Sequence, residues 1–455
     1  MKEIILDLGH LKFPIKIPSH TDIFSMGKVL PLADPEQKIR DALENPIECI
    51  ALKELVGQKL QLNPEAKAVV VISDETRPVP YSGESGILFP LIEEMIKAGL
   101  RPSQTRLLVA TGTHRAMSEK ELRKILDPRI FSFGLKMINH DCRNSDELIS
   151  VGRTDIGGEI FLSRHYMESD IKILTGLVES HFMAGASGGR KSICPGLISE
   201  DSTYILHSGP ILSSPKAADL VLEGNPVHEE ALRVAKMAGC DMIVNVTLDS
   251  DYQLTGVFAG NMESAHLASV EKLQSYAAIP VEKKYDIVIG HAGYVGVNHY
   301  QAAKGALTCL PLLKKNGICL LAACHTDSDP IGGANYKRML RLLGELGPEK
   351  FVNSILSPSW TFVPEQWEAQ MWARLFKKIP PSNLIYCSIE LPEDSFSWIP
   401  GQDARTIVPE ATNLQALVEE SLTWAIRKLQ SQSGSEPRIA LLADGPYGIP
   451  VEKID

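Results

Sequence analysis

The sequence predicts an α/β protein made of two α/β domains with mainly parallel sheets. Three observations carry that prediction: short aliphatic or β-branched runs recur along the chain, each ends in a small, polar or His-bearing turn, and helical patterns lie between them. The runs fall at 68–72 before Ser73-Asp74, 107–110 before Thr111-Gly112-Thr113-His114, 171–174 before Gly176, 242–246, 286–289 before Gly290-His291, and 318–322 before His325. In parallel sheets ligands collect beyond the carboxyl ends of the strands, which is where these turns fall.

Taken in order, the first segment, MKEIILDLGHLKFPIKIP, alternates apolar and polar residues as a strand pair bending at Gly9-His10. Residues 91–98 read as a helix, as do 119–126, opened by the capping box Ser118-x-x-Glu121. A boundary is expected in 270–284, where an apolar stretch gives way to Pro280-Val281-Glu282-Lys283-Lys284 and a fresh strand. This sets the domains at 1–275, binding cofactor and carrying the catalytic groups, and 276–455, completing the substrate cleft. Residues 431–437 (SQSGSEP) read as a flexible loop before a last strand at 439–442.

The 455 residues are 44% hydrophobic and 22% charged, enough to bury substantial cores without disulfides or structural metals. With 46 basic and 56 acidic residues the formal net charge is -10, which argues against general nucleic-acid binding, since that leans on phosphate neutralisation. The start lacks the apolar core and cleavage site of a secretory signal, and no apolar run approaches the roughly 18 residues of a membrane span. Eight scattered cysteines, none in CxxC spacing, read as reduced interior thiols. These features predict a cytoplasmic protein.

The densest polar stretch is 179–196, ESHFMAGASGGRKSICPG. Its small residues let backbone approach a ligand closely. A phosphate-binding P-loop requires Gly immediately before the Lys, and Arg190 stands there before Lys191, which argues against an ATPase. Anion binding by the amides around Gly188 and Gly189 remains compatible with the segment. His114, His181 and His207 sit where strands or Gly-rich turns end, positions suited to acid/base work or metal ligation, although no HExxH pair is present. In Ser73-Asp74-Glu75-Thr76-Arg77-Pro78, Arg77 reads either as half of a surface ion pair or as a planar fork for a carboxylate. Gln301 and Lys304 share one face of a helix beginning near Asn298, either an exposed edge or a pair of groups for an anionic substrate. Trp367 reads as core or as pocket wall.

Together these segments resemble the lactate racemase family, nickel-dependent enzymes that invert 2-hydroxy acids. The resemblance runs through most of the chain and rests on the order and separation of SDETRP, GTH, the 181–191 segment, PG followed by His207, and YQAAK. It implies an active site in the cleft between the two domains and a nickel-pincer nucleotide, a pyridinium mononucleotide with two sulfur-bearing arms. It further implies Lys191 as the covalent tether, His207 as the nickel ligand, and His114 and His181 as the acid/base pair. Arg77, Gln301 and Lys304 would hold the substrate, with Tyr300 and Trp367 beside it. Asp74 would contact the cofactor or orient a neighbour, and Gly188 and Gly189 would line the cofactor site. The implied partners are a small 2-hydroxy acid and the proteins that make the cofactor.

The sequence departs from the lactate-type pattern at Gly293-Tyr294-Val295-Gly296-Val297, at His299, and in the extra loop Ser82-Gly83-Glu84-Ser85. These positions border the expected substrate cleft and widen the expected substrates to other short hydroxy acids, malate or a sugar acid. Two rival readings are an NAD-dependent 2-hydroxy acid dehydrogenase and a cofactor-binding protein without turnover. Against the first, no GxGxxG follows an early strand with an acidic residue some twenty positions on.

Overall fold

A computed structural model of the protein describes residues 1–156 and 158–452. The chain divides into two compact units, Lys28–Ser275 and one that joins Met1–Gly27 to Tyr276–Asp455. The expected single cut at 275/276 differs from this in the fate of the first 27 residues. The hairpin Lys2–Asp7/Lys12–Ile17 forms around the Gly9-His10 bend as its alternation suggests. Its apolar face (Leu6, Phe13, Ile15 and Ile17) is buried with Ile287, Leu320 and Leu417, and Asp22–Phe24 pairs in parallel with Ile439–Leu442. Hydrophobic burial with distant segments therefore places this stretch with the later unit.

In Lys28–Ser275 the sheet order is Leu254–Gly260, Met242–Leu248, Ile171–Leu177, Ala68–Ser73, Thr105–Ala110, Lys136–Asn139. All neighbours are parallel except the antiparallel edge strand Leu254–Gly260. Counted along the chain, the parallel strands lie in the order 3-2-1-4-5. The order reverses between Ala68–Ser73 and Ile171–Leu177, and ligands bind outside the carboxyl ends at such a reversal. Those two strands are buried almost throughout, the pattern of a sheet covered on both faces. One cover is the helix Leu88–Lys97, which buries Leu88, Leu91, Ile92 and Met95. The helix Glu119–Ile125 opens with the expected box: Ser118 Oγ accepts from the Glu121 amide at 3.3 Å, and the Glu121 carboxylate accepts from the Ser118 amide at 2.7 Å.

The other unit carries an all-parallel sheet ordered Gln402–Asp403, Leu384–Cys387, Leu313–Ala322, Tyr285–His291, Ile439–Leu442, Asp22–Phe24. The loop read at 431–437 is shorter than expected, because the helix Leu414–Ser433 runs through its first three residues and ends at Gly434 with φ 67°. Ser431 and Ser433 donate their hydroxyls to the Lys428 and Leu429 carbonyls, so both serines are satisfied inside the helix. All eight cysteines are free. Among the described residues no helix is long and apolar enough to cross a membrane.

Candidate active site

The reversal point in Lys28–Ser275 is stitched by a buried hydroxyl relay. Thr175 Oγ1 donates to the Val71 carbonyl at 2.7 Å, which leaves the Tyr81 hydroxyl to donate to Thr175 Oγ1 at 2.8 Å while accepting the Ser73 amide at 2.8 Å. Strands one and four are thereby tied at the level where their loops depart.

Asp74 opens the loop after strand one. Its Oδ1 accepts from the Thr76 amide at 3.1 Å and the Thr76 hydroxyl at 2.5 Å, and its Oδ2 lies 2.7 Å from His114 Nδ1. Burial pushes this carboxyl up, but the bonds from His114 and Thr76 outweigh it and hold the group below its ordinary value. An ionised Asp74 accepts the hydrogen bond from His114 Nδ1–H and leaves Nε2 with its lone pair, on a ring about half exposed. From the same loop, Arg77 Nε reaches 3.4 Å from Glu179 Oε1 at the end of strand four.

Beyond Glu179 the chain makes a two-residue ladder, Ser180–His181 against Gly185–Ala186. His181 Nδ1 receives the Met183 amide at 3.3 Å and the Ala184 amide at 3.1 Å. Gly188 then takes φ 74°, ψ -175°, and Gly189 φ 51°, turning the chain into the short 3-10 segment Gly189–Ser192 that carries Lys191. Asn245 Oδ1 accepts the Gly189 amide at 3.2 Å. Arg190, where a P-loop would have Gly, is a buried brace. Its guanidinium donates to the Ala184 carbonyl at 2.8 Å and the Gly188 carbonyl at 3.3 Å, and lies 3.0 Å from His266 Nε2. Burial lowers it to about 9, so it stays charged at neutral pH.

His207 closes the helix Glu200–Leu206 with Nδ1 2.9 Å from the Thr203 carbonyl. Burial holds this imidazole down to about 4, helped by the charge of Lys191. With Nδ1–H on a carbonyl, the neutral ring presents Nε2 as a lone-pair donor, the arrangement common for a metal-ligating histidine. Among the described residues no group of three or more His, Cys, Asp or Glu gathers to hold a metal.

Tyr300, Gln301, Lys304 and Trp367 lie in the other unit. Asn298 Oδ1 accepts the Gln301 amide at 2.9 Å and starts the helix His299–Thr308, which places Gln301 and Lys304 on its first turns. Trp367 Nε1 donates to the Tyr300 hydroxyl at 2.6 Å, so the indole is half-buried and tied to Tyr300. Beside them Glu368 is 2% exposed, and burial raises its carboxyl to about 8 against the opposing pull of Lys304. A carboxyl that binds its proton more tightly in the folded state favours folding below the unfolded value near 4.5, and that contribution is lost as pH rises to 8. Wild-type stability is therefore expected to fall by about 4 kcal/mol between pH 5 and 9 through this group alone. Urea titrations of Glu368→Gln should show that slope flattened; an unchanged slope would mean Glu368 ionises normally.

The sequence alone assigns no role to Glu179, Arg190 or Glu368. Arg190 had a visible signal in its displacement of the P-loop glycine. Glu368 had a weaker one, a charge among Ala369, Met371 and Trp372.

Fold and site together define an α/β enzyme with a carboxylate-held histidine, an arginine and a lysine-bearing glycine-rich loop at the reversal point of one sheet. The family model described as the lactate racemase N-terminal domain matches residues 8–219, and that of the lactate racemase C-terminal domain matches 281–396. The lactate racemase of Thermoanaerobacterium thermosaccharolyticum is 32% identical over 342 residues, covering 75% of this chain and 77% of that protein. That of Lactiplantibacillus plantarum is 28% identical over 412 residues, covering 90% and 89%. The solved structure of the T. thermosaccharolyticum lactate racemase apoprotein superposes with a TM-score of 0.83 at 28% identity, covering all of both chains. The chain belongs to the lactate racemase family, and it is an isomerase.

Proposed function

We propose that the protein inverts C2 of a short 2-hydroxy acid, as a racemase or C2 epimerase, with a nickel-pincer nucleotide attached through Lys191. The observation that carries this reading is the Asp74–His114 contact at the reversal point, in the unit that also holds the Lys191 loop. Removing a proton from carbon beside a carboxylate builds costly adjacent charge. Removing a hydride while a base takes the hydroxyl proton avoids it. When bound, the nucleotide's pyridinium ring supplies the hydride acceptor and donor.

The chain's own residues do the rest. His114 offers an unprotonated Nε2 to the substrate hydroxyl, and Asp74 stabilises the imidazolium that results. His181 is the second member of the acid/base pair. Arg77, Gln301 and Lys304 hold the substrate carboxylate, with Tyr300 and Trp367 alongside. Gly188 and Gly189 shape the loop against the cofactor. His207 fits as nickel ligand because its neutral ring offers Nε2 while Nδ1 is engaged, and one imidazole with soft sulfur donors suits square-planar nickel.

The 3-2-1-4-5 strand order is shared with dinucleotide dehydrogenases. Here, however, strand one leads into Ser73-Asp74-Glu75-Thr76-Arg77, without the glycines that let a pyrophosphate approach.

The test is intact mass and nickel content of protein from cells that also make the cofactor, followed by chiral analysis of lactate, malate and sugar acids. A nucleotide-sized adduct on Lys191, one equivalent of nickel and loss of optical purity without NAD reduction are expected. An unmodified, nickel-free protein from those cells, or net oxidation with NAD, would overturn the reading.

A further inference from the structure

Behind the residues proposed to hold the substrate, the later unit keeps a buried acid that the chemistry above leaves unused. We propose that Glu368 is a positioning residue for Lys304: while it keeps its proton the ammonium serves the substrate carboxylate, and once ionised it draws the ammonium to itself. This rests on the function proposed above and adds to it how the substrate's charge is matched.

Glu368 is the third residue of the helix Gln366–Phe376, which packs on the helix His299–Thr308. The contact is fixed one residue earlier, where the Trp367 indole donates to the Tyr300 hydroxyl. An acid at the third helical position commonly turns back to the capping amide. Glu368 is instead 2% exposed, and its Oε1 accepts no hydrogen bond. A carboxylate so placed loses its hydration and gains nothing at that oxygen in return. The groups that face it come from three helices. Burial holds its proton on, Lys304 on His299–Thr308 pulls the other way, and Glu365 at the head of its own helix adds to burial. Glu365 Oε2 in turn accepts the Tyr336 amide at 3.1 Å, from the helix Ala334–Ile355. Burial keeps the Tyr300 and Tyr336 phenols well above their ordinary value, so both face Glu368 uncharged.

Two carboxyl groups therefore compete for one ammonium. A substrate carboxylate held by Lys304 brings a further negative charge toward Glu368 and raises the cost of ionising it. An ionised Glu368 attracts the same ammonium through a medium of low dielectric, where the pull exceeds its value in water. Substrate binding and the Glu368 proton thus favour each other, and the coupling is reciprocal. Glu368 touches none of the reacting atoms in this scheme, so its ionisation belongs to KM and leaves kcat alone.

The test has two arms. Carbon-13 NMR of glutamate-labelled apoprotein, assigned against Glu368→Gln, should show one carboxyl titrating near 8 in the wild type and higher still in Lys304→Met, which lacks the cation. Coincident midpoints in those two proteins would overturn the coupling whether or not any activity is found. In cofactor-loaded enzyme acting on lactate, malate or gluconate, wild-type KM should be about tenfold higher at pH 9 than at pH 7, with kcat moving by less than about twofold. Glu368→Gln, neutral at every pH, should keep a level KM across that range. An equal rise of KM in Glu368→Gln, or no rise in the wild type, would remove Glu368 from substrate binding. If loaded wild-type protein inverts none of the three acids, the proposed function fails, and the NMR still decides whether Glu368 answers to Lys304.

Discussion

Asp74→Asn is expected to lower turnover about 10³–10⁴-fold while leaving the attached cofactor and the fold in place. The reason is the pattern of donors around the carboxylate. The Thr76 amide and hydroxyl both donate to Oδ1, so an asparagine keeps its carbonyl oxygen there and puts its NH₂ where Oδ2 faces His114. That NH₂ donates to His114 Nδ1, which forces the ring proton onto Nε2. The base then has no lone pair toward the substrate hydroxyl, and an imidazolium would have no counter-ion. Asp74→Ala, which imposes neither tautomer, should be less damaging than Asp74→Asn. Steady-state turnover beside intact mass and nickel content checks this. A loss below tenfold in Asp74→Asn, with cofactor retained, would remove His114 from the proton path.

Much of this site could be read from the sequence, for a physical reason. Each strand that ends at the reversal point announces itself by a local apolar run, and each polar turn after it is contiguous with that run. Asp74, Arg77, His114 and the 181–191 segment are therefore legible in the sequence as candidates. The capping box at Ser118 is equally local. Pairings between remote segments leave no such mark. Nothing within Asp22–Phe24 says that it lies beside Ile439–Leu442, so no local signal joins the first 27 residues to the later unit.

The roles missed have the same origin. Arg190 reads as a failed motif in one dimension. In three it is a buried cation whose hydrogen bonds fix the carbonyls of Ala184 and Gly188, on either side of the turn. Glu179 reads as the first residue of a polar stretch, and only the reversal of strand order brings it against Arg77. The proton positions of His114 and His181 depend on which atom faces each Nδ1, a carboxylate in one case and two amides in the other. A spacing pattern does not encode that.

The glycine-rich turn yields the other large effect. Gly188→Ala is expected to destabilise the apoprotein by about 2–6 kcal/mol, summing backbone strain and overpacking. At φ 74°, ψ -175° the backbone occupies a region essentially reserved for glycine. An added Cβ would also fall 2.6 Å from Val178 Cγ2 and 2.9 Å from Asn245 Oδ1, the oxygen that accepts the Gly189 amide. Val178 follows strand four directly, so the turn can give way only by lifting off the sheet. Lifting it breaks the Arg190–Gly188 and Lys191–Gly188 bonds and moves the lysine proposed to carry the cofactor. Gly134→Ala is the matched control in the same unit: φ is 68° there, nothing lies within 4 Å of the added Cβ, and about 1 kcal/mol is expected from the backbone alone. Thermal midpoints of the two apoproteins should separate by on the order of 10 °C, with Gly188→Ala lower. Equal midpoints would show that the turn relaxes freely, and Lys191 would then owe its position to something other than the packing of Gly188 on strand four.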